Sequence, residues 1–283
     1  MQGYKKRLRT TRDTFHMKHV LLALSIAATL AACATTTSPT GRSQNVGAVS
    51  QQQLDQMGAQ AFAEYKAKLP QSRDARQTAY VRCVVNAVTR ELPGQWQTQW
   101  ESAVFVNESP NAFALPGGKV GVYTGIFSVA RNQDQLAGVI AHEIGHVVSR
   151  HHDERVTRQM GAQAGLGIVG ALLGSRYGQG AAQATSQLGG VAVQSLFLLP
   201  NNRVQESEAD VVGEQLMAKA GFDPRQAVNL WQNMIAASSG RSPQWLSTHP
   251  DPQARIQELS NRAGALMSTY QQAQAAGRRP NCG

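Results

Sequence analysis

The 26 glycines and 11 prolines of this 283-residue chain have no fixed triplet period, which excludes a collagen-like or proline-rich fibre. No self-similarity at roughly 30–45 residues marks a solenoid. Charge is sparse as well, at 16% against 42% hydrophobic residues, so the chain is too apolar to be disordered. What remains is a globular enzyme or binding domain, long enough for one large unit or two small ones. A basic stripe interleaved with aromatics is also missing. The formal charge of +9 is concentrated in residues 1–32, where Lys5, Lys6, Arg7, Arg9, Arg12 and Lys18 face only Asp13; the remainder carries +4. No nucleic-acid partner is expected from such a balance.

A long hydrophobic run is absent too. The apolar stretch Val20–Leu30 would rise about 16 Å as a helix, roughly half of a hydrocarbon core, and suits a signal peptide better than a permanent span. Residues 1–32 are expected to be removed, whether translation starts at Met1 or at Met17. Leu30-Ala31-Ala32-Cys33 resembles the bacterial lipobox, which implies lipidation at Cys33, a membrane contact through that anchor and, with Ala34 following, outer-membrane sorting on the periplasmic face. The alternative is a plain secretory signal with an incidental cysteine. Residues 33–49, rich in Thr and Ser, read as a tether. In an oxidising compartment the remaining pair, Cys83 and Cys282, is expected to be bridged, with two free thiols as the alternative.

Downstream, Leu54, Met57, Ala61, Phe62, Tyr65 and Leu69 recur at helical spacing after Ser50, a good N-cap. A second helix is expected from near Ser72 to Pro93-Gly94. Trp100–Val106 is β-prone, and Phe113–Leu115 and Lys119–Tyr123 flank Pro116-Gly117-Gly118 as a strand pair. Helices follow near Gln133–Ser149 and Gln205–Ala220, the second closed by Gly221, and others start at Asp223-Pro224 and Asp251-Pro252. The main folded unit is expected to span residues 50–270, with a tail at 271–283. The Gly-, Ala- and Gln-rich stretch 160–200 reads as a lid, a lipid-facing hairpin or a loosely packed helical pair.

The chemistry centres on His142-Glu143-Ile144-Gly145-His146. On a helix the two imidazoles share one face and can hold one Zn²⁺, while Glu143 can reach a water beside it. Leu136, Ile140, Ile144 and Val147 form a stripe that would bury this helix. Two candidates compete for the third ligand. His152 stands where a further histidine would in the HExxHxxGxxH pattern, but Ser149 replaces the glycine that breaks that helix, so His151 and His152 are expected to be exposed beyond its end. Glu206-Ser207-Glu208-Ala209-Asp210 places Glu206 and Asp210 on one face, one for the metal and one for a histidine N–H. That arrangement is favoured, with Glu208 pointing to the opposite side.

Together with Asn111–Gly118 and Thr248-His249-Pro250-Asp251-Pro252 through Arg255-Ile256, these motifs resemble zinc metallopeptidase family forty-eight, the family of HtpX, the CAAX prenyl proteases and the Oma-type peptidases, in its periplasmic lipoprotein branch. The resemblance covers roughly residues 50–265. It implies a mostly helical α+β fold, a gluzincin-type zincin with a small sheet over the HExxH helix. It also implies one Zn²⁺ on His142, His146 and Glu206, Glu143 as general base and Asp210 as support. Asn111, Ala112, Phe113 and Ala114 would be an edge strand that binds extended substrate through its main chain. His249 has two candidate roles, blocking the fourth metal position or donating to the oxyanion, besides simply capping a turn. The implied function is endopeptidase action on unfolded or misassembled cell-envelope proteins. A client-binding lipoprotein chaperone that rarely cleaves is the alternative.

Overall fold

Side-chain oxygens decide where four of the described α-helices begin. The computed structural model describes residues 34–97, 99–177, 201–237, 244–249 and 252–283; the expected signal segment, Cys33 and the glycine-rich stretch beyond Tyr177 lie outside the described residues. Helix α1 (Gln51–Lys68) starts at a capping box in which Ser50 and Gln53 satisfy each other's backbone N–H. Helix α2 (Ala75–Thr89) starts later than the expected Ser72, because the Asp74 carboxylate accepts from the backbone of Arg76 and Gln77. Asn132 caps α3 (Gln133–Val148). After α4 (His151–Tyr177), Asn202 and Gln205 form a second capping box at α5 (Arg203–Ala220), which ends at Gly221 with φ 85°. Helices α6 (Arg225–Ala236), α7 (Gln244–Thr248) and α8 (Pro252–Ala275) complete the described helices.

Much of the stretch expected as a tether is ordered. Residues Ala34–Thr37 (β1) and Ser43–Val46 (β2) form an antiparallel hairpin, turned at Ser38–Arg42 with Gly41 at φ 89°. Its exit is pinned to α4, with Gly47 N–H donating to Asp153 at 2.9 Å and Ala48 N–H to Thr157 at 3.2 Å. A polar run with no apolar periodicity reads as a leash; here the tertiary hydrogen bonds order it.

The second sheet has the order β3-β5-β4, from β3 (Glu101–Phe105), β4 (Ala112–Leu115) and β5 (Lys119–Tyr123). Strand β5 is parallel to β3 and antiparallel to β4, so β4 is an edge. The β4–β5 turn places Gly117 and Gly118 at φ 76° and 69°, the region that glycine enters without strain. On one face of the sheet, α1 packs an aromatic cluster of Phe62, Tyr65, Phe105, Phe113 and Tyr123, in which the Tyr65 and Phe113 rings stack at 4.3 Å.

Helix α3 lies beneath β4 and against α2, α5 and α6. Leu136, Ile140 and Ile144 are fully buried and Val147 is 3% exposed; burying each such side chain contributes roughly 1.5–3 kcal/mol. Every residue from Gln135 to Val148 is buried, so α3 is enclosed on all sides. Its approach to α5 is close enough to need glycine: a Cβ on Gly145 would lie 2.8 Å from the Ala209 carbonyl, and one on Gly213 2.9 Å from the His142 nitrogen. The fold is thus mostly helical α+β with a small sheet over the central helix. A disulfide joins Cys83 on α2 to Cys282, with 5.5 Å between the Cα atoms, so the tail is tied back to the body. Among the described residues, no helix is long and apolar enough to cross a membrane.

Candidate active site

Three elements bring four buried ligand-type side chains together. Helix α3 supplies His142 and His146, α5 supplies Glu206, and the residue after α7 is His249; their ligand atoms all lie within 4.8 Å of one another. His142 Nε2 is 3.1 Å from His146 Nε2 and 3.2 Å from His249 Nδ1. Glu206 oxygens are 3.5 Å from His142 Nε2, 3.4 Å from His146 Nε2 and 3.0 Å from His249 Nδ1. Tetrahedral ligands at 2.0–2.1 Å from a zinc ion would be about 3.3 Å apart. The spacing and the donor set, three imidazoles and one carboxylate, fit such an ion.

The surroundings orient these ligands. His142 Nδ1 donates to Asp210 at 2.9 Å, and Arg255 from α8 clamps Asp210 through both carboxylate oxygens at 2.6 and 2.7 Å. The same guanidinium donates to Glu206 at 2.5 Å and lies over the Trp231 ring at 3.9 Å. Burial and the Arg255 charge push His142 down, but hydrogen bonds to Asp210 and Glu206 outweigh them and its pKa is pushed up to about 9. Burial would raise Glu206, yet the His249 and His146 rings hold it well below the usual carboxylate range. Carboxylates that favour a proton on His142 would equally favour a cation among these ligands.

Glu143 is buried beside the cluster. Its Oε1 accepts from Trp245 Nε1 at 2.9 Å and lies 3.3 Å from His249 Nε2. Edge strand β4 forms the facing wall: Asn111, Ala112, Phe113 and Ala114 line the same cleft as Glu143, His146 and His249. Phe113 directs its ring into the aromatic cluster over α1, opposite Gly121. The cleft holds about 50 Å³ of free space, enough to admit water.

Two expectations are corrected. His151 and His152 are buried, and the helix breaks without the glycine the sequence lacks. Arg150 takes the left-handed conformation at φ 56°, its guanidinium pairs with Asp153 at 2.5 Å, and α4 starts at once. The reversal places His151, rather than His152, against His146, with 2.7 Å between their Nδ1 atoms. His152 stays outside the four-residue cluster and lines the cleft with Arg155 and Asn201, which hydrogen-bond to each other. Burial lowers the pKa of both rings, that of His152 well below the usual histidine range. Glu208 does face away from Glu206 and Asp210, as expected, but into a second buried cluster rather than into water.

Sequence reasoning gave no role to Trp245 or to Arg255. Arg255 did leave a signal, since it lies four residues before Leu259 on the buried face of α8, where an unpaired arginine would not be tolerated. Trp245 left none, because its partner Glu143 is 102 residues away in sequence.

Residues 75–263 match peptidase family M48. The chain is 35% identical over 184 residues to the mitochondrial metalloendopeptidase OMA1 of Schizosaccharomyces pombe, covering 64% of this chain and 52% of that protein. It is 30% identical over 215 residues to the beta-barrel assembly-enhancing protease of Escherichia coli, covering 75% of this chain and 44% of that protein. It thus spans about half the length of the curated relatives it matches. With this match over the HExxH helix, the Glu206 helix and the segment bearing His249, and with the buried ligands of a gluzincin-type zincin, the chain belongs to peptidase family M48.

Proposed function

We propose that this protein is a zinc endopeptidase that cleaves unfolded or misassembled envelope proteins, anchored through Cys33 to the outer membrane on its periplasmic side. The observation that carries the peptidase reading is the convergence of His142, His146, Glu206 and Glu143 on a cleft walled by the free edge of β4. An edge strand recognises main chain, which supports broad selectivity for extended segments. The envelope setting rests on the residue 1–33 signal and on the similarity to the beta-barrel assembly-enhancing protease.

Bound zinc would supply Lewis acidity to the scissile carbonyl and acidify an attacking water. The chain's own residues would do the rest. His142, His146 and Glu206 would hold the ion; Asp210 would keep the His142 ring in the tautomer that presents Nε2. The Glu143 carboxylate would take the proton of the attacking water and pass it to the leaving amine. The β4 backbone would align the peptide.

His249 supports a latent resting form. Its Nδ1 lies among the ligand atoms and its Nε2 points at Glu143, whereas an oxyanion donor would face the position of the substrate carbonyl. Catalytic zinc sites keep one position open; with an ion bound, the His249 ring would occupy it. Opening would then need the segment that carries Trp245 and His249 to withdraw.

The test is cleavage of an unfolded protein by the zinc-loaded chain. Glu143→Gln should retain zinc and lose about 10²–10⁴-fold in rate, and cleavage at the wild-type rate would overturn the mechanism. His249→Ala should cleave faster than wild type; a rate that falls instead would assign His249 to the oxyanion. Wild-type protein that binds a client without zinc-dependent cleavage would favour the chaperone alternative. Membrane fractionation of Cys33→Ser tests the anchor, with release expected.

A further inference from the structure

Hairpin β1–β2 reaches the ligand cluster through two buried links. Glu208, 3% exposed, accepts from Thr40 Oγ1 at 2.6 Å and from Arg42 Nε at 2.9 Å. Arg42 is itself held by a two-bonded contact to Glu154 at 2.9 and 3.0 Å. On its other side Glu208 lies 3.0 Å from His151 Nε2, and His151 Nδ1 is 2.7 Å from His146 Nδ1.

Donors and acceptors along this line permit one arrangement for a neutral His151. A carboxylate only accepts, so His151 Nε2 carries the hydrogen and donates to Glu208. His151 Nδ1 is then an acceptor, and His146 Nδ1 must donate to it. The lone pair of His146 is left on Nε2, the atom that faces His142 and Glu206.

We propose that His151 and Glu208 are positioning residues for His146, and that the hairpin, through Thr40 and Arg42, is the outer lock of this relay. The hairpin lies outside residues 75–263, the segment that matches the family. Without it, two of the hydrogen bonds that aim Glu208 disappear, and the carboxylate is free to swing away from His151. The strand pair that directly follows Cys33 is on this account a working part of the metal site as well as a connection to it.

The proposal rests on the metal-site reading above, and the experiment separates the two. Zinc affinity of the full mature chain is measured by competition with a chromophoric chelator, and the cobalt-substituted protein reports ligand geometry through its visible absorption. Wild type that binds neither metal would defeat the metal-site reading itself. With wild type binding, His151→Phe should weaken zinc by about 10–100-fold and shift the cobalt bands. His151→Asn, which keeps an acceptor near the Nδ1 position, should recover most of that loss. Arg42→Ala, a change at the partly exposed end of the relay, should weaken zinc by a smaller factor with the same direction of cobalt shift. Wild-type affinity and an unchanged cobalt spectrum in His151→Phe would overturn the proposal, as would failure of His151→Asn to recover affinity while folded. If His151→Phe does not fold, unchanged affinity and spectrum in Arg42→Ala overturn it equally.

Discussion

His142 and His146 stand one turn apart on α3, yet they are held by different chemistry. Behind His142 is an ionised carboxylate, Asp210, gripped by a buried guanidinium from α8 that also grips Glu206. Behind His146 is another imidazole, then Glu208, then side chains of a partly exposed hairpin. The first support is charge-dense, enclosed and built wholly within the matched segment 75–263; the second runs out of that segment to residues 40 and 42. Removing one member of the first therefore strands charge in the interior, whereas the second can loosen from its outer end by degrees.

The largest effect should come from Arg255→Met. It would leave Glu206 and Asp210 buried without their guanidinium, at a cost of about 3–5 kcal/mol of stability, read from urea unfolding. A loss under about 1 kcal/mol would erase the distinction between the two supports. Metal removal follows. With zinc at roughly a thousand times its dissociation constant, chelation should lower stability by about 4 kcal/mol, seen as a lower Tm, and Glu206→Gln should abolish most of that difference while His152→Ala preserves it. If His152→Ala abolished it instead, the ligand set would need reassignment.

Third is Cys282→Ser, expected to cost about 2–4 kcal/mol. The disulfide braces the tail against α2 and touches neither histidine's support, so zinc affinity should stay at the wild-type value; a parallel fall would mean that any loosening of the flanks disturbs the site. The smallest effects belong to the capping boxes. Ser50→Ala and Asn202→Ala should each cost about 1 kcal/mol. Only Asn202→Ala should also weaken zinc, since the first turn of α5 carries Glu206.

Much of this was legible in the chain. Ser50, Asn111–Tyr123 and Gly221 mark a helix start, a strand pair and a helix end through local chemistry, and the structure has each of them. The i, i+4 spacings of His142 with His146 and of Glu206 with Asp210 place each pair on one helix face, and packing of α3 against α5 then makes the two faces meet. The order of residues 34–49 is not legible in the sequence because a Thr- and Ser-rich run has no apolar periodicity; it comes from hydrogen bonds to α4 and α5. His151 was misread because the expected helix break was sought at position 149 in a glycine; a left-handed arginine, paired to Asp153, makes the turn one residue later.

The sequence by itself determined most of the helices, the three strands between Glu101 and Tyr123, and which residue types could hold a metal, because hydrogen bonding within a few residues and the 3.6-residue period are local properties. Tertiary structure alone decided which side chains stand behind the ligands. Arg255 lies 45 residues from Asp210, Trp245 lies 102 from Glu143, and Arg42 lies 166 from Glu208. Such buried polar partners are selected by the need to satisfy each donor and acceptor within one enclosed space, and that need arises only after the helices have packed.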